Sequence, residues 1–285
     1  MRLLFCAVAG VTFFFWSCKE KSSSPDEIFL ELKLKEGQTY ITEMEVSQSM
    51  EADINGVFSL IDQNIEFRLL SEIVKDSSGL YKITNQYQKL HFSQSQTDDE
   101  QEDLMVIDTD EMQSDGHGTE LEKYYYQLIQ STFLTYMDKN GQEVLSELDE
   151  MNKRIGGEKF TSPFQKMFQY GVFFPDYLLG KKDVWHKEIS LKNDQIVVTG
   201  NTRYQLETWD KELVYIQMRS QLKGRHVGFD VGGQIDVEKS GVIVLYRATG
   251  WIKEATIDQS IKWLDINTNE NRLLGQIKIK SYQEK

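Results

Sequence analysis

The thiol of Cys18 stands directly behind a basic Arg2, an apolar run from Leu3 to Trp16 and the small residue Ser17. A basic start, an apolar stretch of roughly a dozen residues and a small residue before the break are the parts of a secretory signal. A cysteine at the break marks the lipoprotein version, so Cys18 is expected to become the lipidated first residue of the mature chain. Phe15 and Trp16 depart from the Leu-like and small residues usual at those places, and Ser17 fits. The alternative is a transmembrane helix over 3–16, but a span needs about 20 apolar residues, and Lys19, Glu20 and Lys21 end the run too early. Cys6 lies inside the signal, which leaves the mature chain one cysteine without an internal partner. An odd cysteine in an exported protein calls for a special role, and acyl attachment supplies it.

The other residues that could do chemistry lack the spacing to do it. His91, His117, His186 and His226 include no pair at metal-ligand spacing. There is no Gly-x-Ser-x-Gly elbow, and no cysteine is left as a nucleophile. Acidic residues crowd 94–120, where hard cations could find carboxylate oxygens. Asp108, Asp110 and Asp115 nevertheless miss the calcium-loop spacing, with Met112 standing where a ligand is needed; a solvated loop is expected. The glycine-rich 223–233 lacks the Gly-Lys-Ser/Thr ending of a phosphate loop and reads as a hairpin connection. Trp185, Trp209, Trp251 and Trp263 read as sheet core, except Trp209, whose apparent turn position makes it a possible exposed platform for a sugar. Catalytic, cofactor and metal residues are accordingly expected to be none, and Cys18 is the one assigned site.

The chain carries 32 Lys and Arg against 45 Asp and Glu, a net charge of −13, and loss of Arg2 with the signal makes the remainder more acidic still. Such a surface repels phosphate backbones, whereas nucleic-acid binding needs clustered cations, so no nucleic-acid partner is expected.

The elements that must position any site are mostly strands. Leu30, Leu32 and Leu34 alternate with charged residues, Tyr40 to Met50 follows, Asn55-Gly56 marks a turn, and Ile65 to Ile73 alternates again before a partner strand over 81–92. Thr119 and Glu122 have capping-box spacing, predicting a helix over about 120–130. Asp138-Lys139-Asn140-Gly141 predicts a hairpin turn between 132–137 and 142–148. A short helix is expected at 149–155, and another from Ser162-Pro163 carrying Phe164, Met167 and Phe168. Strands are expected at 184–191, 195–208, 212–223, 233–239, 241–248, 250–260, 261–266 and 275–282, with Ser240-Gly241 as one of the turns. The aromatic residues Tyr124, Tyr125, Phe133, Phe164, Phe168, Phe173 and Phe174 must be buried; they either plug the core or line a cavity.

The fold class expected is mainly β: antiparallel meanders forming one or two curved sheets, with a short central helical segment. The layout reads as signal 1–17, flexible tether 18–27, first meander half 28–120 with the acidic loop 94–120, central helix and hairpin segment 121–182, and second meander half 183–285. The two halves read as a degenerate duplication.

Four stretches carry a family resemblance: Leu32-Lys33-Leu34-Lys35-Glu36-Gly37-Gln38-Thr39-Tyr40, Asp138-Lys139-Asn140-Gly141, Phe174-Pro175 before Val184-Trp185, and Thr249-Gly250-Trp251-Ile252. The chain resembles, over nearly its whole mature length, a family of uncharacterised Bacteroidetes-type lipoproteins classed as a domain of unknown function. Gly180-Lys181-Lys182-Asp183 departs from the glycine-aspartate usual before the Val-Trp strand. The resemblance brings no catalytic residues. Lys19 after the cysteine resembles a signal for the outer membrane rather than inner-membrane retention, which implies an exported protein, periplasmic or surface-facing. Three roles stay open: a membrane-anchored envelope lipoprotein binding an apolar ligand or a protein partner without catalysis, a hydrolase of envelope or extracellular glycans, and a purely structural or assembly lipoprotein.

Overall fold

A computed structural model describes residues 26–54, 57–75, 79–97, 102–111, 118–157, 172–192, 196–227, 233–264 and 269–284. Residues 18–25 of the tether with Cys18, His117, Asp115 and the segment carrying Ser162, Pro163, Phe164, Met167 and Phe168 lie outside the described residues, while Glu27, expected in the tether, is in a short strand paired with Gly180.

The elements in chain order are β1 (Glu27–Ile28), β2 (Thr39–Ile54), β3 (Val57–Lys75), β4 (Tyr81–Thr97), β5 (Glu102–Asp108), α1 (Glu120–Gln130), β6 (Thr132–Met137), β7 (Glu143–Ser146), α2 (Leu148–Arg154), β8 (Leu179–Gly180), β9 (Val184–Lys192), β10 (Ile196–Trp209), β11 (Leu213–His226), β12 (Gln234–Tyr246), β13 (Ile252–Leu264) and β14 (Glu270–Gln283). Twelve strands form one antiparallel sheet in the order β7-β6-β4-β3-β2-β14-β13-β12-β11-β10-β9, with β5 added to β4; β1 and β8 make a separate pair. The mainly-β reading with a short central helical segment holds. The two meanders meet in a single seam, where β2 pairs β14 from Tyr40↔Gln283 to Glu51↔Arg272.

One sheet face is apolar and buried, as the period of two requires. Across five strands the register aligns Tyr204, Met218, Gly241, Ile257 and Ile277 in one inward row that continues to Val46 and Ile65. Leu206, Val214, Ile216 and Ile277 have no measurable exposure.

Several sequence expectations are corrected. Leu30, Leu32 and Leu34 are buried alternately as a strand's would be, yet they join no ladder. Instead Leu32 N–H donates to Lys139 O at 2.7 Å and Lys33 N–H to Thr249 O at 2.9 Å, so this extended segment ties the β6–β7 turn to the β12–β13 turn. The glycines of those turns are required there: Gly141 (φ 75°) and Gly250 (φ 70°) are left-handed, and a Cβ on them would collide with Val172 O and Glu31 O respectively. Ser240-Gly241 is no turn but lies inside β12, and a single strand, β13 (Ile252–Leu264), runs through the break expected between 250–260 and 261–266. The acidic segment is not loop throughout, because β4 runs to Thr97 and β5 pairs with it from Thr97↔Glu102 to His91↔Asp108.

Segment 172–175 reaches from one sheet edge to the other. Trp185 Nε1 on β9 donates to Phe173 O at 2.6 Å, and Phe174 N–H donates to Asn140 O in the β6–β7 turn at 2.8 Å. The Lys187 ammonium sits 5.2 Å from the Phe173 ring. The sheet is thereby curled so that its two end strands are bridged without pairing.

Candidate functional site

A cavity of about 630 Å³ opens against the inner face of β2, β3 and β4, under α1. That size falls within the roughly 300–1,000 Å³ of small-molecule sites. Its floor is Met44 and Val46 from β2 with Ile65, Phe67 and Leu69 from β3, every second residue, as one strand face demands. On β4 the apolar residues change parity, from Ile83 and Tyr87 to Leu90 and Phe92. The register explains it: Leu69 faces Tyr87 whereas Arg68 faces Lys89, so Gln88 is an extra residue. Such a bulge bends and twists its strand, and here it keeps both stretches turned inward over one curved wall.

The roof is α1. Thr119 caps it by accepting from Glu122 N–H at 3.2 Å, and the Glu122 carboxylate accepts from Thr119 N–H at 2.5 Å. The capping box makes the helix start where the sequence predicts it, and the spacing of Leu121, Tyr124, Tyr125 and Leu128 turns all four toward the cavity. Tyr125 packs on Phe92 with ring centroids 5.8 Å apart and on Tyr124 at 5.2 Å; Tyr87 meets Phe67 edge-on at 5.4 Å. Burial pushes the Tyr124 hydroxyl up to about 12 and those of Tyr87 and Tyr125 higher still. These phenols stay neutral and serve as apolar surface with a polar tip. Of the seven aromatic residues that had to be buried, Tyr124, Tyr125, Phe133 and Phe174 line this cavity, Phe173 packs against the main core, and Phe164 and Phe168 lie outside the described residues.

A polar strip of glutamines interrupts the wall, in addition to the hydrogen-bonded Ser71, Asn85 and Thr135. Gln48 Nε2 donates to Gln63 Oε1, and Gln63 Nε2 donates to Gln94 Oε1 at 2.5 Å. The row continues beyond the seam to Gly275, Gln259 and Lys239. Burial pulls the Lys239 ammonium down to about 8.

The residues with chemical potential in the sequence do not gather here. His91 Nδ1 lies 3.3 Å from the Asp108 carboxylate, and Asp110 is ion-paired with Lys89. A backbone N–H from Asp110 holds the Asp108 carboxyl below the usual carboxylate range, helped by His91. These acids are thus engaged with protein groups, and among the described residues no three metal-competent side chains cluster. His186 is exposed on β9 and His226 ends β11. Trp209 is no exposed platform: it ends β10 and is 5 % exposed, and the turn begins at Asp210, whose carboxylate accepts from Glu212 and Leu213 N–H at 2.8 Å each. Trp185 is buried as expected, and Trp251 stacks on Tyr40 at 4.6 Å. Sequence reasoning missed the glutamine row and Lys239. Their signal was present as polar residues at inward positions of strands whose neighbours two residues away are apolar.

No family model matches the chain. No curated protein matches it either. Among solved structures it is similar over 88 % of its length to part of a chain from a study of lipid–protein interactions in lipovitellin, at 10 % identity and a TM-score of 0.49. The chain spans 25 % of that lipovitellin chain. It is also similar to the translocator domain of the autotransporter NalP from Neisseria meningitidis, at 7 % identity and a TM-score of 0.34, covering 88 % of this chain and 90 % of that one. An outer membrane channel from Pseudomonas putida F1 aligns at 11 % identity and a TM-score of 0.30, covering 88 % and 97 %. At these scores the likenesses assign neither ligand nor activity. Among the described residues no helix is long and apolar enough to cross a membrane, which says nothing of strands.

Proposed function

We propose that this chain is a non-enzymatic lipoprotein of the cell envelope, anchored to the outer membrane through acylated Cys18, that holds an apolar or amphipathic ligand between its inner sheet face and α1. The observation that carries the reading is the cavity of about 630 Å³, walled by Met44, Ile65, Phe67, Leu69 and Phe92 and roofed by α1. A concave site lined by apolar and aromatic side chains with few polar groups is the usual form of a small-molecule pocket. A filled core would exclude apolar probes, whereas an open one admits them. The Bacteroidetes-type lipoprotein resemblance and the Arg2-to-Cys18 signal supply the compartment. The glycan-hydrolase alternative loses its one exposed platform with the burial of Trp209.

The test has two parts. A fluorescent fatty acid titrated into the delipidated protein should bind saturably at one site, and mass spectrometry of material purified from cells should recover a co-purified amphiphile. Absence of both sinks the ligand reading. Replacing Cys18 with Ala should release the protein from membranes; a variant that still pellets and is still processed removes the anchor.

A further inference from the structure

β1 and β8 form a pair apart from the large sheet, and their register sorts the side chains into an inner and an outer set. Ile28 lies opposite Leu179, and both are buried. One step further along the same register Phe29 comes opposite Leu178, on the side that alternation turns outward. Phe29, Leu178 and Tyr177, which stands in the bend leading into β8, are 41 %, 54 % and 52 % exposed. The other positions of this N-terminal stretch that share the outward period are Glu27, Glu31, Lys33 and Lys35, all charged. Phe29 therefore breaks a polar series where β8 brings two more large apolar side chains beside it.

Apolar residues exposed one at a time need no explanation, but the place of this cluster supplies one. Asp26 directly precedes β1, and eight peptide steps separate it from Cys18. Whatever its conformation, that length of chain spans at most about 29 Å. An acylated Cys18 thus keeps the β1–β8 pair within that reach of a lipid surface. Tethering makes a second contact intramolecular, at an effective concentration of roughly millimolar for a short linker, so a patch too small to hold the protein unaided is enough. The side chains suit the boundary of a bilayer, where aromatic rings sit at headgroup level and an apolar face dips below it. Tyrosine brings an apolar body with a polar tip. The exposed charges nearby have both signs, Asp26, Glu27 and Asp176 against Lys181 and Lys182, and Lys182 is paired with Glu207. This chemistry fits insertion of apolar groups, not attraction to an anionic surface.

We propose, on the reading of Cys18 as acylated, that Phe29, Tyr177 and Leu178 form a membrane-docking edge that seats the folded chain on the lipid surface beside its anchor. The acyl group holds the protein at the membrane, and the edge decides which side of it faces the bilayer.

Amide exchange on vesicles decides it. The chain from Cys18 to Lys285 keeps every described residue and has Cys18 as its one thiol, so maleimide-bearing lipid in phosphatidylcholine vesicles captures it there without cellular acylation. Compared with the same chain in solution with its thiol capped, exchange over 27–31 and 177–180 should slow roughly tenfold, the mark of a face docked about nine-tenths of the time, while β10–β13 keep their rates. Combining Phe29→Ser with Leu178→Ser should abolish the slowing and leave Tm within about two degrees, since both side chains are exposed. Phe58→Ser, which removes an exposed ring from β3, should leave the slowing intact. If the double variant fails to fold, Tyr177→Trp carries the test: its emission should be quenched by phosphatidylcholine brominated in the acyl chains. Exchange unaffected by vesicles, slowing that survives the double variant, or a Tyr177→Trp probe that is not quenched overturns the docking edge. So does a capped chain that dimerises in solution and becomes monomeric in the double variant, because a second copy is then the occupant. Coupling bypasses acylation, so a negative result counts against the docking edge alone, whereas Cys18→Ala that stays with membranes in cells removes the anchor reading whichever way exchange comes out.

Discussion

The inner face of this sheet is finished in two different ways. Over β10–β12 it is filled: Leu206, Ile216 and Ile243 sit at 2 % exposure or less, and Trp185, Trp209, Leu30 and Leu34 pack in the same core. Over β2–β4 the same alternation carries Met44, Ile65, Phe67 and Leu69, which stay partly accessible. Among the described residues their main cover is the 11-residue helix α1, held above a strand bent at Gln88. A period of two therefore declares which side chains point inward, but whether they become core or cavity wall depends on what is laid over them.

This difference can be broken by paired truncations. Leu206→Ala on the filled side should cost about 3–4 kcal/mol, the transfer of its side chain plus a closed void. Leu69→Ala on the open side should cost about 1 kcal/mol or less because it enlarges an existing space instead of creating one. Equal costs by denaturant unfolding would mean that the cavity is closed by packing in solution. A smaller effect is expected at the roof: Thr119→Ala should cost about 1 kcal/mol of α1 stability, seen as faster amide exchange over 120–130 while β10–β13 keep their protection. Uniform acceleration across the sheet would instead make α1 part of the global folding unit. The smallest effect is calcium. With Asp108 and Asp110 engaged by His91 and Lys89, millimolar calcium should move Tm by no more than about one degree, since a ligand stabilises only in proportion to its binding to the folded state. A rise of several degrees that vanishes on replacing both aspartates would place a metal site in the acidic segment.

The strands, α1 and the Asp138–Gly141 turn were legible because their signals are local. The errors came where a local signal had a long-range cause. Gly241 reads as turn punctuation, yet a Cβ on it would collide with Thr256 O of β13, so the glycine answers to a close neighbour in mid-sheet. Trp209 reads as a turn residue because Asp210 follows at once. β5 was hidden because its Leu104 is 73 % exposed and only Ile107 is deeply buried, leaving no clean alternation among the acids. The cavity had one trace in the sequence, the parity change between Tyr87 and Leu90, which has meaning only once β3 supplies the register. Gln259 shows in the sequence as a polar residue between the inward Ile257 and Ile261, but its lack of a hydrogen-bond partner does not, since that depends on neighbours on other strands.

The seam between β2 and β14 sets the order in which this molecule can assemble. Thr42 and Ser281, hydroxyls 2.8 Å apart across it, are 239 positions apart in the chain. Every other long pairing in the sheet joins strands that follow closely in sequence, so each half can zip up as it is made, whereas the seam must wait for the last strand. Closing so large a loop is entropically slow, and until it happens β2 and β13 both present open edges of the kind that recruit other chains. The final strand thus acts as a kinetic latch. A chain that ends before Glu270 would hold two competent meanders with no shared ladder, tied only through the N-terminal segment, the 172–175 bridge and the Tyr40–Trp251 stack.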